Sequence, residues 1–250
     1  MLTEAKALFA DQKFEQSLQT LGRCLAVRQD DPEAFKLVAL NAVRLNKTIT
    51  AEQAFKSAAR LAPGDYSIQF NMGALYYTQS RFLEAEPSLE KAVALKPDYM
   101  PAQLFLGLNL EELGNEEKAI KTYRTAIAVD EAQSQKSELP YLYLGRLLYR
   151  LDRLDEATQL MRRAVDIQPN SGEAWLLLGK TYKGLGREND SIAALERAAA
   201  VDSMSPEAHY LLSRAYLAEH REQDAQKEQA RFEALRASES QKDDGRRKSQ

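Results

Sequence analysis

The chain has 250 residues, 44% hydrophobic and 28% charged, enough apolar content for a buried core and enough charge for a hydrated surface. A net charge of −3 gives no general attraction to nucleic acid or to an anionic membrane. The one cysteine, Cys24, excludes an internal disulfide framework, and no stretch is long and apolar enough for a membrane span.

The first residues carry Glu4, Lys6, Asp11 and Lys13, which leaves no apolar run of signal-peptide length. A cytoplasmic location is the default expectation. The opening helix lacks the residues that begin its later counterparts, so Met1 is a candidate cut from a longer chain. A signal or anchor upstream would place the protein in a periplasm or on a membrane. Asp31-Pro32-Glu33 then supplies an N-cap residue and a proline at the first helical position, predicting a new helix from 32. Asn46 sits in the break that follows, and Pro63 closes the next helix.

The stretch 66–99 shows the unit most clearly. Met72, Gly73, Leu75, Tyr76 and Tyr77 keep helical spacing, and so do Phe82, Ala85, Leu89, Ala92 and Leu95. Between them Thr78-Gln79-Ser80 has room only for a tight helix–helix connection, and Pro97 ends the second helix. The following pair turns at Gly114 and carries four extra residues near Glu131 to Ser137, read as one added helical turn or a bulged loop. Pro169 closes the pair after that, and Gly186 marks the turn of the next. Ser205-Pro206-Glu207 opens the last pair, whose second helix, Glu222 to Leu235, is polar on one side.

Three columns of small residues run through these pairs with a period of 34. The first is Ala5, Ala39, Gly73 and Gly107, continuing after the insertion as Gly145, Gly179 and Ser213. The second is Ser17, Ala51, Ala85, Ala119, Ala157, Ser191 and Ala225. The third is Cys24, Ala58, Ala92, Ala126, Ala164 and Ala198, broken by Phe232. Glycine inside a helix costs about 1 kcal/mol relative to alanine. Its recurrence therefore predicts two helix axes crossing without a side chain between them, facing the column Phe55, Leu89, Tyr123, Met161 and Leu195.

These columns resemble the tetratricopeptide repeat (TPR) family, best in Trp175, Leu178, Gly179 and Tyr182 with Leu195 and Ala198 behind them. The resemblance implies an all-α, right-handed superhelical solenoid of about seven helix-turn-helix units: 1–31, 32–65, 66–99, 100–137, 138–171, 172–205 and 206–237. It covers 1–237, with departures in the short first unit, the four-residue insertion, and Gln229 and Phe232 in the last. The charged residues 238–250 are expected to form a disordered tail.

Catalysis is not expected, and neither is a metal or cofactor. His209 and His220 are the two histidines, and no phosphate loop, GxSxG elbow or HExxH is present. His209 is read as a packing residue in the column of Trp175, His220 as a turn residue and Cys24 as inert packing. The pairs Glu111-Glu112 and Glu116-Glu117 are read as solvated helix ends.

In the TPR family the first helices line a concave groove that holds ligand segments. Carried onto this chain, that groove contains Phe70, Asn71, Tyr77 and Phe105 early, and Tyr143, Arg146, Tyr149, Lys180, Lys183, Tyr210 and Arg214 late. It is apolar first and basic later. A basic ladder with tyrosines suits a ligand bearing carboxylates or phosphates. The alternative is that Arg146, Lys180 and Arg214 pair with glutamates such as Glu173 and Glu207. The function implied is a non-catalytic scaffold, monomer or homodimer, that binds a protein or peptide segment, acidic or phosphorylated, and neither nucleic acid nor membrane. Two further readings are the recognition arm of a larger enzyme, such as a TPR-bearing glycosyltransferase, and an assembly factor of a bacterial envelope or secretion machine.

Overall fold

The computed structural model describes the backbone of residues 1–247 and the side chains of residues 1–240. Among the described residues the secondary structure is all-α, fourteen helices in seven antiparallel pairs. They fall into two compact bodies, Met1–Val129 and Asp130–Gln250. The first contains α1 (Leu2–Ala10), α2 (Phe14–Val27), α3 (Pro32–Arg44), α4 (Thr48–Leu61), α5 (Tyr66–Thr78), α6 (Phe82–Leu95), α7 (Met100–Glu112) and most of α8 (Glu116–Glu131). The second contains α9 (Leu139–Arg150), α10 (Leu154–Ile167), α11 (Gly172–Gly184), α12 (Glu188–Val201), α13 (Pro206–Ala218) and α14 (Glu222–Arg247).

Caps set where the first helices begin. Asp31 accepts from the amides of Glu33 and Ala34 at 3.0 and 3.1 Å, Asp65 from Ser67 at 2.8 Å, and Ser205 from Ala208 at 3.3 Å. The first helices end on a left-handed residue. Gln12, Asn46, Ser80, Gly114, Asp152, Gly186 and His220 all have φ between 54° and 71°. Each reverses the chain in the tight connection that brings the second helix back along the first. Only two of the seven are glycine, so the reversal is imposed as much by helix packing as by local preference.

The glycine column does what its cost predicted. A Cβ at Gly73 would stand 2.6 Å from Leu89 Cγ, and one at Gly179 2.7 Å from Leu195 Cγ. At Gly107 it would collide with the Tyr123 ring, and at Gly145 with the end of Met161. Where the second column holds serine, its hydroxyl donates to the carbonyl of the first: Ser17 to Ala5 and Ser191 to Gly179, both at 2.8 Å. The polar atom is thus satisfied inside the crossing. Cys24 is buried in the same packing.

In the N-terminal body Ala39, Ala51, Phe55, Ala58 and Ile68 form one core cluster, with Ala5, Leu21, Ala34 and Leu37 forming another beside it. In the C-terminal body Leu195, Ala198, Ala208, Leu212, Ala215 and Ala225 pack together. The insertion is organised by Asp130, fully buried, which accepts from the Ser137 amide at 2.8 Å. Lys136 donates to the carbonyls of Asp130, Glu131 and Gln133 and so covers the exposed end of the helix. A capped loop therefore resolves the choice between an added turn and a bulge.

The expected disordered tail differs from the structure. Residues 238–247 continue α14, and 248–250 lie outside the described residues. Half of residues 238–247 are Gln, Glu, Lys and Arg, which lose little freedom in a helix, and the one glycine, Gly245, comes near the end.

Candidate partner-binding site

The groove positions are described body by body. In the N-terminal body α5 presents Phe70, Asn71 and Tyr77, and α7 presents Phe105, all half-buried. Their places on the neighbouring first helices α5 and α7 bring three of these rings into one run. Phe70 meets Phe105 edge to face at 5.4 Å, and Phe105 meets Tyr77 at 5.7 Å. The run extends beyond the predicted residues, since Tyr99 packs on Phe70 at 5.2 Å and on Tyr66 at 5.0 Å. Lys96 lies over the Tyr66 ring at 4.7 Å. One N–H of the Asn71 amide donates to the Ser67 carbonyl at 2.6 Å within its own helix. The amide has a second N–H and a carbonyl oxygen besides.

In the C-terminal body α9 presents Tyr143, Arg146 and Tyr149, α11 presents Lys180 and Lys183, and α13 presents Tyr210 and Arg214. Arg146 lies over the Tyr143 ring at 5.0 Å and pairs with Glu173 at 3.5 Å. Lys180 pairs with Glu207 at 2.5 Å. The alternative noted for the basic ladder is thus the geometry observed at two of its three rungs. These pairs are partly exposed, so each is worth a fraction of a kcal/mol, about 0.2–1 in general. A ligand carboxylate can compete for them. Lys183 and Arg214 are exposed, and Arg214 has no carboxylate partner among the described residues. Tyr210, 42% exposed, packs on Phe232 at 5.3 Å.

Several contacts were not anticipated. Arg81, Arg187 and Arg221 stand at one position of the 34-residue period and stack over Tyr76, Tyr182 and Tyr216 at 4.5, 4.5 and 4.1 Å. Each arginine lies five residues after its tyrosine, across the left-handed turn, so the pattern was visible as a Tyr–Arg spacing. Arg81 also reaches Glu52 at 2.6 Å. That contact, followed by the Lys56 ammonium, holds the Glu52 carboxyl down to about 2. Burial, then the hydrogen bond to Glu196, pushes the Tyr216 phenol well above its ordinary value. His209 is buried, as a packing residue should be, but its ring is also tied at both nitrogens. Nδ1 lies 2.6 Å from Glu228 and Nε2 3.2 Å from the Ser203 carbonyl.

No cluster of three or more His, Cys, Asp or Glu side chains suited to a metal occurs among the described residues. No helix among them is long and apolar enough to cross a membrane.

Comparison with known proteins agrees with the geometry. Two family models described as tetratricopeptide repeat match residues 70–136 and 148–215. The Saccharomyces cerevisiae anaphase-promoting complex subunit CDC16 is 28% identical over 149 residues, 57% of this chain and 17% of that protein. The human protein O-mannosyl-transferase TMTC3 is 27% identical over 139 residues, 50% of this chain and 15% of that protein. The chain therefore aligns with less than a fifth of either curated relative. Among solved structures, the C-terminal part of a TPR repeat-containing protein from Cytophaga hutchinsonii superimposes with a TM-score of 0.76 at 14% identity. That match covers 94% of this chain and 95% of the other.

Proposed function

The chain belongs to the tetratricopeptide repeat family, and from that premise we propose that it is a non-catalytic scaffold holding a partner peptide or helix against its first-helix faces. Repeat arrays of this fold serve protein interaction in general, because stacked units present long, regular surfaces rather than one enclosed pocket. The observation that carries the finer reading is the aromatic run of the N-terminal body. Phe70, Phe105 and Tyr77 are only half-buried and face one another across first helices. Such rings supply large contact area at low entropic cost. In the C-terminal body the cations Arg146, Lys180 and Lys183 give the first helices there a face suited to ligands with carboxylates or phosphates. The match to a subunit of a multiprotein complex supports the same reading.

The test is affinity capture with two variants, Phe70→Ala/Phe105→Ala and Arg146→Gln/Lys180→Gln, each first shown to keep its helical circular dichroism. A partner held by wild type should be lost by at least one of them. It should be retained by Glu90→Lys, a change on the second-helix surface. Equal recovery by every variant would remove the groove from the function.

A second reading is favoured by the O-mannosyl-transferase match: the array is the recognition arm of a larger enzyme. Determining the coding sequence on both sides of this segment distinguishes the two, since only the second requires a catalytic domain in the same chain.

A further inference from the structure

The cations Lys6, Arg146 and Lys180 share a partner position as well as a place in the 34-residue period. Lys6 reaches Glu33 at 3.1 Å, Arg146 reaches Glu173 at 3.5 Å and Lys180 reaches Glu207 at 2.5 Å. Each glutamate is the second residue of the next first helix, directly after Pro32, Gly172 or Pro206, and behind the N-cap Asp31, Ser171 or Ser205. A carboxylate there also meets the positive end of its own helix, so cation and helix terminus attract it together. Each pair ties the start of one first helix to the first helix before it, beside the apolar packing that seats it.

Arg214 is the next member of the series. It is exposed, and no described carboxylate reaches it. Beside it lies an open cleft of about 510 Å³ between α13 and α14, walled by Tyr210, Leu217, Gln226, Gln229 and Glu233. One period earlier the corresponding residues of α12 are Ile192, Leu195 and Ala199, and they are covered by α13 through Ala208, Leu212 and Tyr216. The cleft is thus a seat of the same form as one that is filled, with Arg214 at its edge where the filled seat has Lys180. Its second-helix wall differs, being mixed where the filled seat is apolar: Gln226, Gln229 and Glu233 stand beside Ala225 and Ala230. A mixed wall suits an amphipathic helix that binds and leaves, since exposed amides need no permanent cover.

We propose that the α13–α14 cleft docks an amphipathic helix of a partner protein that carries a carboxylate in its first turn, which Arg214 receives. This rests on the scaffold reading above and fixes the chemistry of the partner at one place on the array. The charge complementarity is the one this chain uses three times, and the surface continues the packing seen between its own helices.

The probe is a labelled, end-blocked peptide with the sequence of residues 205–219, compared with the same peptide bearing Glu207→Lys. Binding to the full chain is followed by fluorescence anisotropy. Wild type should favour the glutamate peptide by about two- to fivefold, the range set by one partly exposed ion pair. Arg214→Glu should reverse the preference while leaving the thermal midpoint unchanged, because Arg214 contributes no described ion pair to the fold. Equal binding of the two peptides, a preference that survives Arg214→Glu, or no binding up to millimolar peptide would each overturn the proposal. Sedimentation supplies a further check: a dimer abolished by Arg214→Glu would put a second copy in the cleft and refute a foreign partner helix. Phe70→Ala/Phe105→Ala should leave the peptide titration unaltered. Failure of the aromatic face as a binding surface and failure of this cleft are therefore read separately.

Discussion

At the scale of single residues, the left-handed turn position shows what the array demands of its sequence. Gln12, Ser80, Asp152 and His220 hold the same conformation as Gly114 and Gly186. For a residue with a Cβ this costs about 1–2 kcal/mol, part of which glycine gives back through its greater freedom when unfolded. Ser80→Gly should therefore raise stability by about 0.5–1 kcal/mol in chemical denaturation. Gly186→Ala should lower it by about 1 kcal/mol, and purely through the backbone, because a Cβ there meets open space. A neutral result at both positions would show that the turns are not held as described. Glu52 gives a pH signature. Its carboxyl is lowered from 4.5 to about 2 by Arg81 and Lys56. The stabilisation is fully present above the ordinary value and is lost as pH falls toward about 2. Glu52→Gln should flatten the stability profile between pH 4.5 and 2 and leave the neutral-to-basic limb alone, as measured by thermal melts across that range.

At the scale of helices, the four glycines of the first small column are not equivalent. At Gly179 an added Cβ meets the branched Cγ of Leu195 and, at 3.4 Å, its backbone nitrogen. At Gly145 the nearest atom is the flexible end of Met161, with Leu160 Cβ further off at 3.3 Å. Met161 can move aside by rotation, whereas Leu195 can yield only if its helix shifts. Gly179→Ala should therefore cost more than Gly145→Ala, and Gly179→Leu should cost several kcal/mol, about 1–3 or more, by wedging the pair apart. Denaturant midpoints of the three variants test the order. The helices themselves were legible from Pro32, Ser205 and the glycine turns, because capping and helix propensity act over a few residues. The insertion was not. Its form depends on Asp130 and Lys136 folding back on a helix end, and no short-range pattern announces that. The reach of α14 to Arg247 was also missed, since a polar composition without hydrophobic periodicity reads equally as coil or as exposed helix.

At the scale of the molecule, a repeat array is stabilised chiefly by each unit's contacts with its neighbours, and helices at the ends have fewer. Hydrogen exchange should accordingly be fastest in α1 and in residues 236–247 of α14, and slowest in α5, α6, α11 and α12. Uniform protection along the chain would contradict this. The all-α repeat, its period and the axis crossing at the glycines were legible in the sequence, because these follow from spacing along one chain and from the cost of leaving out a side chain. The sequence also placed Phe70, Tyr77 and Phe105 on related helical faces, and put Arg146, Lys180 and Arg214 in phase. What those residues meet is set by the packing of the helices. A period of 34 fixes phase but not distance, and whether a cation faces a ligand or a glutamate depends on where the next helix begins. Arg146 and Lys180 found Glu173 and Glu207 in that way, while Arg214, with no described helix seated beyond it, kept an open cleft.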